Sequence, residues 1–279
     1  MIERETSSPA PRRRGRFTKG RRILVGVVIA LVVLLFSLRG LANFWTDYLW
    51  FDSVGFGPVW TTILVTKLVL AIVAIAVAFG LVLGNLWLAG RVRPMLGEAG
   101  PGEQVVSRYR TWAGGHHWRV PLIVSGALGL ILGLGAAGWW ENWLQLVNSR
   151  PFGVTDPVFQ KDIGYYIFQI PFWRDLLGWA FQFVLVVTIV VAVFYYLSGG
   201  IRVQGRGLRS APGVKLHLSV LLAVIALLKA AAYWLDRYDL LFSERGAVFG
   251  ASYTDISARW PALNLLFFIN FAQKQRQSS

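Results

Sequence analysis

Leu68–Leu83 reads LVLAIVAIAVAFGLVL, and this stretch decides the fold. It carries no charged, amide or hydroxyl side chain. A helix in water needs a polar face, and here every face is apolar. Such a segment aggregates in water and rests in lipid, where a helix is favoured because it closes its own backbone hydrogen bonds. Outward from it, the apolar run extends over Trp60–Leu88. At about 1.5 Å per residue that crosses a hydrocarbon core of about 30 Å. Comparable runs lie at Ile23–Leu38 (resumed after Arg39 by Leu41 and Ala42), Val120–Trp140, Pro171–Leu197 and Leu216–Leu235. The expected fold is an all-α, polytopic helical membrane bundle of five full transmembrane helices plus a partial sixth. The predicted spans are about 23–42, 60–88, 120–140, 171–197, 216–235 and 256–272. The last apolar run, Trp260–Ala272, would cover only about 20 Å as a helix. It precedes a polar tail at 273–279, and the chain reads as a truncated form of something longer.

Composition agrees. Of 279 residues, 55% are hydrophobic and 15% charged, against roughly 25% charged in soluble proteins, and the mean hydropathy is +0.52. The 28 Lys and Arg exceed the 14 Asp and Glu, for a net charge of +14. These basic residues sit between the apolar runs, so a nucleic-acid partner is not expected. The absence of cysteine removes disulfides, thiolate metal sites and thiol nucleophiles.

Loop charges orient the bundle. The connection Asn43–Val59 holds Asp47 and Asp52 and no Lys or Arg; Ala89–Arg119 holds Arg91, Arg93, Arg108, Arg110 and Arg119 against Glu98 and Glu103. Glu141–Ile170 is slightly acidic, Ser198–Lys215 has Arg202, Arg206, Arg209 and Lys215 with no acid, and Asp236–Arg259 is mixed. Basic and non-basic connections alternate, which the positive-inside bias reads as a cytoplasmic N-terminus in the plasma membrane. Residues 1–22, with Arg12–Arg16, read as a disordered basic tail attracted to anionic inner-leaflet lipids. The first run reads as an uncleaved signal-anchor, because bulky Asn43-Phe44-Trp45 follows it rather than a small-residue cleavage pattern. Trp45, Tyr48, Trp50, Trp60, Trp139, Trp140, Trp143, Trp173, Tyr233 and Trp234 all fall at the predicted outer boundary, where amphipathic rings favour the headgroup layer.

Candidate functional residues are few. Lys67 and Lys229 lie well inside apolar runs, and an intramembrane charge is by default a functional-site hypothesis. Snorkelling to the outer interface, or a water-bridged pairing of Lys229 with Asp236 two turns on, is preferred to a solute or ion pathway. His116-His117 lacks further ligands and reads as a solvated or headgroup-facing loop. The Gly129-x-x-x-Gly133 spacing reads as close helix–helix contact. Asp156-Pro157 reads as a helix start, with VFQKDIGYYIF forming a short amphipathic helix before Pro171 opens the next span. Thr254 or Asp255 is expected to cap the last helix. No catalytic, cofactor-binding or metal-binding residue can be nominated, and an enzyme is not expected.

Three stretches carry a family resemblance: Tyr48–Val59 (YLWFDSVGFGPV), Asp156–Phe172 (DPVFQKDIGYYIFQIPF) and Lys229–Asp255 (KAAAYWLDRYDLLFSERGAVFGASYTD). Over residues 20–265 the chain resembles the multi-spanning bacterial membrane proteins grouped as uncharacterised protein family 0182. The resemblance implies an N-terminal bundle of about seven membrane helices followed by a large extracytoplasmic region, which a truncated chain would be expected to lack. From about Asn264 it departs from the family pattern. The family brings no catalytic residues or cofactor. The expected role is a membrane-anchoring or structural module of a larger cell-envelope protein. The alternative is a solute or ion transporter or channel component, motivated by Lys67, Lys229 and Asn85. The expected partner is the lipid bilayer, with a second copy or an envelope protein left open.

Overall fold

The computed structural model describes residues 19–92, 118–204, 207–243 and 250–276. Most of the basic tail and the His116-His117 pair lie outside these residues. The chain divides into two compact units, 1–62 and 63–279.

The first unit holds α1 (Lys19–Ser53) and the opening turns of α2 (Gly57–Val92). Helix α1 outruns its apolar stretch: Asn43–Ser53, assigned above to a connection, is helical. Aromatic packing accounts for the extension, since Phe44 and Tyr48 each meet Trp60 edge-to-face at 5.1 Å. The chain then turns, the Phe56 N–H donating to the Phe51 carbonyl at 2.8 Å, and Pro58 sits in the first turn of α2, where its missing donor costs nothing.

The second unit continues α2 and adds α3 (Arg119–Leu134), a 3-10 stretch over Gly135–Trp139, and α4 (Trp140–Val147). Helices α5 (Ile170–Ser198) and α6 (Pro212–Asp236) follow, α6 prolonged by a 3-10 turn at Arg237–Phe242, and α7 (Trp260–Arg276) closes the described residues. Among the described residues five helical segments are long and apolar enough to cross a membrane: Ile23–Ser53, Gly57–Val92, Arg119–Val147, Tyr165–Ser198 and Pro212–Phe242. The protein is thus an all-α bundle. A two-stranded antiparallel hairpin, β1 (Ile201–Gln204) with β2 (Gly207–Ser210), joins α5 to α6.

Helix α2 packs through Ala78, Val82, Leu86 and Ala89; α5 through Phe183, Val187, Val191 and Tyr195; α6 adds Val214 and Leu221. Steps of three or four residues keep each set on one face, so the buried stripe is narrow and the remaining apolar surface is outward. Against α2 lies α3, and here the glycine spacing bears out its reading. A Cβ at Gly133 would stand 2.5 Å from the Ile75 nitrogen, and one at Gly129 3.1 Å from the Phe79 Cβ. Only glycine lets these backbones approach so closely. At the far end of α5, Gly199 takes φ +78° and donates to the Tyr195 and Tyr196 carbonyls, a left-handed helix stop that glycine adopts without penalty.

The expected helix after Asp156 is not formed. Residues Pro157–Phe159 make a tight turn, Thr155 bridges Asp162, and Gln160 is left-handed at φ +55°. Helix begins after Asp162 and runs through a π-turn at Tyr165–Gln169 straight into α5. Pro171 therefore lies within a continuous helix rather than opening one. A proline ring collides with the carbonyl four residues back, and a turn widened by one residue accommodates it; the Ile170 N–H reaches back to the Tyr165 carbonyl. The same device recurs at α7, where a π-turn at Asp255–Arg259 precedes Trp260-Pro261 and the Trp260 N–H reaches the Asp255 carbonyl.

Candidate functional site

Helices α5 and α6 run antiparallel, tied at both ends. Arg174 pairs with Asp239 at one end, and at the other the Tyr195 hydroxyl meets His217 Nδ1 at 2.8 Å. Between them, near the first end, lies a cavity of about 170 Å³ lined by Arg174, Leu177, Gly178, Phe181, Lys229, Ala232, Leu235 and Asp236. The structure thus brings Lys229 and Asp236 to one cavity, as their spacing on a single helix face suggests, and adds Arg174 from α5. The Lys229 ammonium lies 4.9 Å from the Tyr233 ring centroid. Among the described residues the ion pairs are Arg174–Asp239 and Asp255–Arg259, so Lys229 and Asp236 face the cavity without bridging each other. Beside them Asn142 donates to Asp175 at 2.6 Å, linking α4 to α5. On the other flank, Trp173, Trp234 and Phe267 line an aromatic groove of about 490 Å³ that shares Leu177 and Leu235 with the cavity.

Lys67 is elsewhere. It is exposed on α2 with its ammonium 5.1 Å from the Trp140 ring centroid, a cation–π contact with an aromatic of the predicted outer boundary. It lines neither cavity.

Among the described connections, the one that leads into α5 is densely hydrogen-bonded. Asp156 accepts from the backbone N–H groups of Val158, Phe159 and Lys161 and from the Tyr166 hydroxyl. Burial alone would raise its pKa, but these donors outweigh burial and hold the carboxyl below its ordinary value. Asp162 accepts from the N–H groups of Phe152, Gly153 and Gly164. The Phe152 bond is the largest cause of its lowered pKa. Around them Phe159, Tyr165, Tyr166, Tyr238 and Trp260 form an edge-to-face aromatic cluster. Arg237 lies 3.2 Å from the Trp234 ring centroid and donates to the Tyr238 hydroxyl.

The cap of the last helix lies two to three residues earlier than expected, at Ser252. Ser252 and Asp255 form a reciprocal box: the Asp255 N–H donates to the Ser252 hydroxyl, and the Ser252 N–H to the Asp255 carboxylate. Asp255, only 1% exposed, also accepts from Arg259 at 3.0 Å. The Ser252 hydroxyl, then Ser243, the Ser252 N–H and Arg259 drive its pKa far below the ordinary carboxylate range.

A second polar group was not legible from sequence. Asn85 on α2, Tyr195 on α5 and His217 on α6 are linked in series, His217 Nε2 meeting Asn85 Oδ1 at 3.1 Å and the Asn85 amide donating to Leu81 O at 2.7 Å. One assignment satisfies every atom: Nε2–H donates to Asn85, and Nδ1 accepts from Tyr195. Tyr195 and His217 are both buried. Asn85 was visible as a lone polar residue, but no spacing in a single chain pairs it with a histidine 132 positions away.

The fold and this sparse polar inventory define a helical bundle with membrane-spanning capacity and its ordered polar groups at the helix ends. Residues 24–274 match the model of the uncharacterised protein family UPF0182, and the chain belongs to that family. It is 42% identical over 272 residues to a UPF0182 protein of Salinispora arenicola, covering 95% of this chain and 26% of the relative. It is 40% identical to one of Streptomyces coelicolor (91% and 26%) and 36% identical to one of Mycobacterium marinum (91% and 26%). The chain spans about a quarter of the length of these relatives. No solved structure matches it.

Proposed function

We propose that this chain is a membrane-anchoring module of a cell-envelope protein, seated in the plasma membrane with its basic N-terminus in the cytoplasm. The observation that carries the reading is the distribution of order. Hydrogen-bonded carboxylates, ion pairs and the aromatic cluster gather where α5, α6 and α7 meet their connections, while the spans between carry few polar groups, Lys67 and Lys229 among them. That end suits a docking platform, and relatives about four times as long offer the kind of protein such a module would hold. Its role is non-enzymatic, and the partners it engages are lipid and a further envelope protein or a second copy of itself.

Orientation is open to direct test because the chain has no cysteine. Ser53→Cys should react with a membrane-impermeant thiol reagent on whole cells, and Ser107→Cys should not; the opposite pattern inverts the topology. Neutralising Arg12–Arg16 should weaken association with anionic vesicles, and an unchanged association would remove that partner.

One observation favours a second reading, transport: charged Lys229 and Asp236 share a cavity between two spans, and intramembrane charges mark pathways. Liposomes holding the full chain should be no leakier to ions or small solutes than protein-free ones. A flux abolished by Lys67→Met or Lys229→Met would replace the anchoring reading.

A further inference from the structure

The α5–α6 cavity exists because two small residues line it. Gly178 and Ala232 contribute almost no side-chain volume, and a Cβ added at Gly178 meets nothing within 4 Å. At about 170 Å³ it holds roughly half a dozen groups the size of a water, at ~30 Å³ each. That suits a polar headgroup and excludes a whole lipid. Its walls at Leu177, Phe181 and Leu235 are apolar, and its charges lie along the helix axis. Lys229 sits nearer the middle of the apolar run of α6, and Asp236 about 10 Å further toward its end. Arg174 is already engaged by Asp239. A cation and a carboxylate therefore face one small cavity, in a fixed order, neither ion-paired among the described residues.

We propose that this cavity binds the headgroup of a zwitterionic aminophospholipid, its phosphate at Lys229 and its ammonium at Asp236. The order of charge selects this class. In a bilayer the phosphate lies closer to the hydrocarbon than the amine it carries, matching lysine inward and carboxylate outward. A phosphoglycerol headgroup offers Asp236 no cation. A choline headgroup offers one that cannot donate a hydrogen bond and is too bulky to close on the carboxylate. The aromatic groove of Trp173, Trp234 and Phe267, built on the same Leu177 and Leu235, gives acyl chains an apolar wall and favours a lipid over a soluble zwitterion. The site rests on the membrane-spanning reading of the chain.

The test is native mass spectrometry of the full chain, delipidated in mild detergent and offered an equimolar mixture of dioleoyl phosphatidylethanolamine, phosphatidylglycerol and phosphatidylcholine. The ethanolamine lipid should be retained about fivefold over each of the others, the scale of partly exposed ion pairs. Lys229→Gln and Asp236→Asn should each erase the preference. Gly178→Leu, whose side chain fills the cavity, should abolish retention while leaving the thermal melt unchanged or raised. Equal retention of the three lipids, a preference for either competitor, or a preference that survives Gly178→Leu overturns the proposal. Glycerophosphoethanolamine binding as tightly as the lipid overturns its assignment to the membrane. A chain that stays dispersed without detergent would sink the membrane reading itself, whereas a detergent-dependent chain with no headgroup preference sinks this site alone.

Discussion

Replacing Gly133 by alanine should separate α2 from α3, and the size of the effect can be worked out. The new Cβ would sit 2.5 Å from the Ile75 nitrogen and 2.6 Å from its Cα. Relaxed carbon contacts lie at about 3.5 Å or more, so the two backbones must part by roughly 1 Å. Both contacting atoms are main-chain, so no side-chain rotation relieves them. Overpacking of this kind costs about 1–3 kcal/mol. Against it stands the gain of about 0.5–1 kcal/mol from removing a glycine inside a helix. Gly126 supplies the control on the same helix, because a Cβ there meets nothing within 4 Å. Gly126→Ala collects the helix gain alone, so the propensity term cancels between the two variants. Gly133→Ala should then be less stable than Gly126→Ala by about 1–3 kcal/mol, read as a lower melting midpoint in the same detergent. Gly133→Ala melting at or above Gly126→Ala would refute the close packing of α2 on α3.

Asp156→Ala removes the acceptor for three backbone N–H groups and the Tyr166 hydroxyl. It should cost about 1–3 kcal/mol and expose the Arg150–Lys161 segment to trypsin, and unchanged protection would count against the loop. Asp255 and Asp156 both have folded pKa values below their unfolded ones, so each contributes stability that is present above the unfolded value and lost as pH falls through the folded one. Melts taken from pH 7 downward should therefore hold to about pH 4–5 and decline below it, and Asp255→Asn should flatten that decline. Tyr195→Phe leaves His217 Nδ1 without its donor and should cost about 1–2 kcal/mol. Coupling of less than ~0.5 kcal/mol in a double-mutant cycle with His217→Leu would break the proposed link. Lys67→Met surrenders only an exposed cation–π contact and should shift stability by less than about 1 kcal/mol.

The apolar runs were readable because lipid imposes a one-dimensional rule: a helix without a polar face has one solvent available to it. Gly129 and Gly133 were readable for a related reason, since a four-residue spacing places both on one face. What escaped was pairing between distant segments. Arg174 and Asp239 meet because α5 and α6 return antiparallel on a short hairpin, and Asn85 and His217 meet because α2 and α6 share the buried core. Local order also misled where two signals competed. Asp156-Pro157 carries a helix-start pattern, yet the Asp156 carboxylate takes the N–H of Lys161 as well as those of Val158 and Phe159, which curls the chain into a turn. Thr254 and Asp255 both looked like caps, but the reciprocal bonds with Ser252 move the cap outward and free Asp255 to hold Arg259.

The two proline-tolerant π-turns connect this local chemistry to the role proposed for the molecule. A helix that must stop at a membrane surface can end there, leaving a flexible loop. Here α5 and α7 instead carry their helical path through Pro171 and Pro261 by widening one turn. The residues beyond each widened turn are then held by buried or multiply bonded carboxylates, Asp162 before one and Asp255 within the other. Both devices cost backbone regularity and place hydrogen-bonded order at the helix ends. A pathway for solutes needs its polar groups near the midplane, whereas a mount for a large partner needs rigid ends. On the anchoring role proposed above, the α5 and α7 entrances are where a partner's load would be carried.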